Sequence, residues 1–213
     1  YDILFEPIRI GPVTAKNRFY QTPHATGMGY TWPNHGRAYR EMKAEGGWGV
    51  VTTEECMIHP SSDHMSAPHM RLWSDDDIPA MAEVAEAVHA HGALFGVELA
   101  HAGRMAANRL TREQPLAPSL LPYAGYGPYL ARPMDLDDIR AFRTWHRDAA
   151  RRAIEAGADI IYAYAAHDLS LPMQFLLPRY NQRADAYGGP LKNRVRLLRE
   201  LLEDMRELAE GRA

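Results

Sequence analysis

The sequence predicts an α/β fold consisting of the first four βα units of a (β/α)8 TIM barrel, preceded by an N-terminal β-hairpin. Short β-rich runs alternate with longer amphipathic helices, which is typical of a parallel sheet. Four such units follow one another, and right-handed crossovers make successive strands neighbours in one sheet. A complete barrel needs about 250 residues, whereas this chain has 213. We therefore expect residues 1–213 to form one domain, the N-terminal half of a barrel that a missing C-terminal portion or a partner completes.

Turn and capping signals place the elements along the chain. Residues 3–17 contain two short apolar runs broken by Gly11-Pro12, which predicts a hairpin that plugs one end of the sheet. Ser74 and Asp135 are typical N-caps of two long helices, which glycines at 92 and 157 end. The predicted barrel strands are 18–22, 49–53, 93–99 and 158–163, and the other two helices are predicted over 39–46 and 190–210.

Composition excludes several classes of function. The net charge of -3, with acidic and basic residues interspersed, argues against binding to nucleic acid or to a membrane surface. The single cysteine, Cys56, cannot form an internal disulfide and is expected to pack in the core of a cytoplasmic protein. His59, His64 and His69 lack metal-ligand spacing and are interpreted as surface residues. A small-molecule partner is the expectation that remains.

Polar residues follow each predicted barrel strand. In βα barrels the working residues lie at the C-terminal ends of the strands. The four strand ends are followed by 21–27, 54–56, 98–104 and 164–167. We therefore expect these segments to converge on one site.

Five segments carry a resemblance to a known family, in order and with their spacing intact. They are Asn17–His24, Lys43–Gly49, Gly96–Leu99, Gln174–Leu176 and Tyr187–Arg194. They resemble the Old Yellow Enzyme family of FMN barrels, and within it the branch of trimethylamine, dimethylamine and histamine dehydrogenases. The resemblance implies FMN-dependent oxidation of a small amine by hydride transfer to flavin N5, with electrons passed to an external or downstream acceptor. It also implies that any 4Fe-4S cluster lies beyond residue 213 and that the full-length protein is a homo-oligomer.

The resemblance implies a set of cofactor-binding residues. Backbone groups of Pro23, His24 and Ala25 would lie against the flavin, with Glu98 near its pyrimidine edge and Glu54 also in the cofactor site. Alternatively, Pro23 and His24 only shape a loop, and Glu98 is a structural ion-pair partner. Trimethylamine dehydrogenase carries a cysteine, covalently bound to FMN, at the position of Ala25. Because alanine cannot form that bond, we expect non-covalent FMN.

Tyr164 and His167 are the candidate catalytic pair, and both would also contact substrate. A tyrosine at the first of these positions resembles the amine dehydrogenases. Amine oxidation needs a neutral nitrogen, and a tyrosine sharing a proton with an imidazole would favour the free amine. The ene-reductase pattern continues with Gly-Tyr after the second donor, whereas Asp168-Leu169 stands here. The alternative is that Tyr164 packs and His167 caps the loop.

Glu55 is the candidate substrate-binding carboxylate. It occupies the position of a tyrosine in the aromatic cage of trimethylamine dehydrogenase, where cation–π contact holds the substrate. A carboxylate suits a less substituted, hydrogen-bonding or dicationic amine better, unless Glu55 is a solvated loop charge. Two other functions stay open: an NAD(P)H-dependent ene-reductase on the same barrel, and a non-catalytic half-barrel that only binds flavin.

Overall fold

The computed structural model describes residues 1–62, 69–122 and 130–211. Its strands are β1 (Ile8–Ile10), β2 (Val13–Ala15), β3 (Val50–Met57), β4 (Met70–Arg71), β5 (Leu94–Ala100), β6 (Leu116–Ala117), β7 (Leu121–Pro122), β8 (Leu130–Pro133) and β9 (Ile160–Ala163). Its α-helices are α1 (Pro33–Glu45), α2 (Ile78–His89), α3 (Leu136–Glu155), α4 (Leu171–Leu176), α5 (Leu191–Arg194) and α6 (Arg196–Ala209). The predicted hairpin is confirmed, since β1 and β2 pair antiparallel around Gly11.

The central sheet is parallel and contains the strands of the barrel wall. Its order is β4-β3-β5-β9, as right-handed βα units require. The prediction of a regular strand over 18–22 is wrong, because only Tyr20 bridges to β3, at Val50. Beyond that bridge, the side chain of Gln21 accepts the Thr52 N–H at 3.1 Å, a donor that a backbone ladder would otherwise use.

The helices begin and end largely where the sequence places them. Asp135 caps α3 in a reciprocal capping box with Asp138, and Ser74 forms the same motif with Asp77 before α2. Helix α1 begins six residues earlier than predicted, at Pro33, because proline is well tolerated in a first helical turn. The last predicted helix divides into α5 and α6 at Val195.

The core lies between the sheet and the helices that cover its outer face. Alternate residues of β5, Phe95, Val97 and Leu99, are fully buried and pack in one cluster with apolar residues of α2, α3 and α6. The opposite face of β5 carries Gly96 and Glu98, which therefore belong to the barrel interior. In the part of the chain that the structure describes, no helix is long and apolar enough to cross a membrane.

A small sheet interrupts the long segment between β5 and α3, for which the sequence indicated only a loop. Strands β6 and β7 flank β8, parallel and antiparallel respectively. Arg183 donates to the carbonyls of Pro118 and Met134 and thereby ties this sheet to the segment that follows α4. Strands of two residues are too short to show a hydrophobic period in the sequence.

The capping box of α3 yields a stability prediction. Asp135→Ala removes the acceptor of the Asp138 N–H, a bond of 2.8 Å, and should lower the free energy of unfolding by about 1 kcal/mol. Asp137→Ala removes the same charge from the same turn but leaves the cap intact. Chemical denaturation of both variants should show the larger loss in the first; equal losses would mean that the cap contributes nothing beyond its charge.

Candidate active site

The C-terminal ends of β3, β5 and β9 bring the predicted site residues to one edge of the sheet. Glu55 lies directly across from Glu98 in the β3–β5 register. On the other side of β5, the backbone N–H of Tyr164 donates to the carbonyl of Leu99 at 3.2 Å. Three of the segments predicted to converge therefore do so, and they place two carboxyl groups beside a tyrosine.

Tyr164 and His167 form a hydrogen-bonded pair. The Tyr164 hydroxyl lies 2.7 Å from Nδ1 of His167, and the tyrosine is buried. Burial, followed by the charges of Glu55 and Glu98 and a hydrogen bond with Glu55, raises the pKa of Tyr164. The phenol is therefore protonated at neutral pH, in contact with an imidazole on one side and a carboxylate on the other.

Glu98 is a carboxyl group whose ionisation is disfavoured. Burial and the neighbouring charge of Glu55 raise its pKa to about 7, although His69 acts in the opposite direction. A substantial fraction of Glu98 is therefore protonated near neutral pH, and in that form it can donate a hydrogen bond.

His69 belongs to the same cluster, although the sequence did not indicate it. Its interpretation as a surface residue is wrong, since its side chain is 1% exposed and its Nδ1 lies 3.3 Å from Oε2 of Glu55. It immediately precedes β4, which pairs with the end of β3 and so carries the imidazole to Glu55. Among the other loop histidines, His59 stacks on Trp145 with 3.7 Å between ring centroids, and His64 lies outside the described residues.

Glu54 organises the loop that follows the first barrel segment. Its Oε2 accepts the backbone N–H groups of Thr26 at 2.7 Å and Gly27 at 3.0 Å. Its Oε1 accepts those of Gly29 at 2.9 Å and Met70 at 3.2 Å. The side chain is completely buried, and the assignment of Glu54 to the cofactor site stays a prediction. Glu54 holds the loop.

The charge of Glu54 is stabilised where it lies. Burial works to raise its pKa, but hydrogen bonds from Thr26 and the positive charge of Arg40 outweigh that effect and hold the pKa below its usual value. Arg40 is itself buried and donates to the carbonyls of Thr52 and Gly36. The loop therefore rests on an ionised carboxylate within the protein.

The segment Pro23–Ala25 is accessible to a ligand at this edge of the sheet. His24 and Ala25 are exposed, and the His24 N–H donates to the Thr53 carbonyl at 3.3 Å, which ties the loop to β3. At Ala25 only a methyl group stands between the backbone and a ligand, so close approach is possible. A partly protonated Glu98 at the same edge suits the carbonyl and ring-nitrogen groups of an isoalloxazine. The residues present therefore fit FMN.

Neither a reactive cysteine nor a metal site is indicated among the described residues at this edge. Cys56 is completely buried, as expected for a packing residue, and burial raises the pKa of its thiol. No cluster of three or more metal-binding side chains occurs within residues 1–62, 69–122 and 130–211.

This fold and site define a class of flavin oxidoreductase. Residues 3–211 match the model of the NADH:flavin oxidoreductase / NADH oxidase family, and the chain belongs to that family, whose cofactor is FMN. The resemblance drawn from the sequence motifs is confirmed, and so is the prediction of an incomplete TIM barrel.

Three relatives are amine-oxidising proteins by name. The chain is similar to the structure of a 6-hydroxypseudooxynicotine amine oxidase from Pseudomonas geniculata N1, with 53% identity and a TM-score of 0.97 over 100% of this chain and 32% of that one. The chain is also similar to the structure of histamine dehydrogenase from Rhizobium sp. 4-9, with 46% identity and a TM-score of 0.96 over 100% of this chain and 31% of that one. Dimethylamine dehydrogenase from Hyphomicrobium sp. is 39% identical over 97% of this chain and 29% of its own length. The chain thus spans about a third of each relative.

The hydrogen bonds of Glu54 predict how the loop responds to loss of that charge. Glu54→Gln puts an amide NH2 against backbone N–H donors, so we expect the free energy of unfolding to fall by about 2–3 kcal/mol. Glu55→Gln is the matched control, because it makes the same change at a residue outside this network. Denaturant titration compares the two, and equal losses would contradict the assigned role of Glu54.

The raised pKa of Glu98 predicts a pH-dependent gain in stability from Glu98→Gln. Well below pH 4.5, its ordinary pKa, the wild-type carboxyl is protonated in both states, so the difference in stability between the two proteins should not vary with pH. As the pH rises towards about 7, the unfolded chain ionises more readily than the folded one, and the wild type loses stability relative to the variant. Above that pH the difference should stay constant. Thermal unfolding of both proteins from pH 4 to 8.5 measures it; a difference that shrinks with rising pH would refute the shift.

Proposed function

We propose that this chain supplies the flavin- and substrate-binding half of an FMN-dependent amine dehydrogenase, which dehydrogenates or N-demethylates a small amine. The observation that carries the proposal is the contact between Tyr164 and His167, 2.7 Å long, beside Glu55. The Tyr164–His167 pair can exchange a proton with the amine, and the Glu55 carboxylate attracts the cationic form of the amine. The names of the three amine-oxidising relatives support the same chemistry.

In the proposed site, Pro23–Ala25 lies against the flavin ring and Glu98 faces its polar edge. Bound FMN supplies the acceptor for the hydride that leaves the carbon next to the amine nitrogen. Because residue 25 is alanine rather than cysteine, the cofactor is held without a covalent bond. The Glu54 network keeps the loop in place and so acts on cofactor binding indirectly.

The role of the protein is to provide the neutral amine. A protonated ammonium cannot release hydride, so its proton must leave first. When the cationic substrate occupies Glu55, the phenol O–H of Tyr164 turns from Glu55 to the deprotonated Nδ1 of His167. The phenol oxygen then accepts the ammonium proton while its own proton passes to Nδ1, which leaves a neutral phenol and an imidazolium. The raised pKa of Tyr164 favours this relay over a free phenolate.

Glu55 binds the cationic or hydrogen-bonding end of the substrate. Its side chain is 12% exposed and lies against His69. Because the carboxylate is largely withdrawn from bulk water, it attracts a cation more strongly than an exposed carboxylate would. This environment favours a substrate with N–H donors over a fully methylated amine. The electrons then pass to an acceptor outside the described residues.

Anaerobic titration of the full-length flavoprotein with a panel of amines tests the proposal. Primary and secondary amines should bleach the flavin without NADPH. If NADPH bleached the flavin and amines did not, the protein would be an NAD(P)H-dependent ene-reductase. If the protein had no flavin absorbance and no affinity for added FMN, it would be non-catalytic.

Tyr164→Phe separates the proton relay from simple packing. Removing the hydroxyl should slow flavin reduction by about 100-fold, with the largest effect at low pH, where more of the amine is protonated. Tyr162→Phe is the control, because it removes a buried hydroxyl from the adjoining strand β9, and this hydroxyl has no hydrogen-bond partner among the described residues. Stopped-flow absorbance measures both rates. Equal rates in the two variants would exclude Tyr164 from proton transfer.

A further inference from the structure

The turn after β9 has an unusual backbone. His167 and Asp168 are consecutive non-glycine residues in the left-handed region, with φ of 59° and 60°. Histidine and aspartate tolerate this region better than most residues, but it remains less favourable than the right-handed one. The turn reverses the chain sharply enough for His167 to reach Tyr164, only three residues earlier.

The carboxylate of Asp168 is anchored to the segment after α4. Its Oδ2 accepts the Tyr180 hydroxyl at 2.8 Å and forms an ion pair with Arg179. Arg104, from the loop after β5, donates to the Tyr180 oxygen at 2.9 Å, and its guanidinium lies 4.1 Å from the centre of that ring. Asp168 is therefore tied to two separate loops at the edge of the barrel.

The backbone of the same turn is held from the inside. Gln174 is completely buried, and its side-chain amide donates to the carbonyls of Ala102 at 3.0 Å and Asp168 at 3.4 Å. The Ser170 hydroxyl accepts the Ala166 N–H at 3.1 Å, which closes the turn across its base. The anchored carboxylate thus completes a set of contacts that fixes the direction of His167.

We propose that Asp168 is a positioning residue: its contacts with Arg179 and Tyr180 hold the left-handed turn that keeps Nδ1 of His167 on the Tyr164 hydroxyl. This inference rests on the proposed function of that pair and names what keeps it assembled. Asp168 acts through the backbone, and its carboxylate takes no part in the proton relay.

Substitutions at Asp168 distinguish a positioning role from a chemical one. Glycine adopts the left-handed conformation without an anchor, so Asp168→Gly should retain flavin reduction within about threefold of the wild type. Asp168→Asn keeps the Tyr180 hydrogen bond and tolerates the turn, so it should behave in the same way. Asp168→Ala loses the anchor and disfavours the turn, and it should slow reduction at least about tenfold. A glycine variant as slow as the alanine variant, or an alanine variant as fast as the wild type, would overturn the proposal.

A second readout does not depend on turnover. In the full-length flavoprotein labelled with ¹⁵N-histidine, the His167 signals are assigned by their loss in His167→Gln. The Nδ1 shift should change in Asp168→Ala and stay close to the wild type in Asp168→Gly. The opposite pattern, or no change in either variant, would overturn the proposal. If amines fail to reduce the wild-type flavin, the proposed function fails, while this spectrum still decides whether Asp168 positions His167.

The anchor can also be removed without substituting the strained residue. Arg179→Met combined with Tyr180→Phe leaves Asp168 in place but withdraws both partners of its carboxylate. We expect the same change at Nδ1 as in Asp168→Ala, which covers the case in which the alanine variant does not fold. Arg199→Met is the matched control for loss of a surface arginine, because its partner is Glu203 on α6. A double variant with the spectrum of the control would contradict the anchor.

Discussion

Parallel pairing of β5 with β3 on one side and β9 on the other is the constraint on which this site depends. Parallel strands end at the same edge, so the loops that follow them meet there whatever their sequence. The register then decides which side chains meet: Glu55 lies across from Glu98, and the chain leaving β9 places Tyr164 at the end of β5. A shift of one residue in either pairing would send these side chains to the opposite face.

Three carboxyl groups lie close together at this edge, and each has a different environment. Glu54 is ionised because backbone N–H groups surround it. Around the Glu98 carboxyl, the described residues show no such set of backbone donors, and burial beside Glu55 raises its pKa. Glu55 faces the buried imidazole of His69. Burying one uncompensated charge costs free energy, and burying two adjacent charges of the same sign costs more. Because the three environments differ, the three carboxyl groups can lie together without three uncompensated negative charges.

The sequence was sufficient for features that depend on local chemistry and insufficient for those that depend on register. N-cap residues, stop glycines and the strand-helix alternation predicted α2, α3 and the parallel sheet. They could not show which side chains of β3 face the barrel interior near Glu54 and Glu55, because the β3–β5 register shifts between Thr52 and Glu55, and a shift of this kind changes the face on which a side chain lies. His69 was missed because the strand that carries it to Glu55 has only two residues, too few to show a period.

The carboxylate that is proposed to attract substrate, Glu55, also affects the proton affinity of Tyr164. The charge of Glu55 is one of the reasons that the pKa of this phenol is raised. A cationic group that arrives at Glu55 cancels part of that field, so substrate binding should lower the pKa of Tyr164 and ease transfer of its proton to His167. Binding and proton release would then be coupled through one short hydrogen-bonded chain. Such coupling requires His167 to be in contact before the substrate arrives, which explains the value of a strained turn held by fixed contacts on both sides.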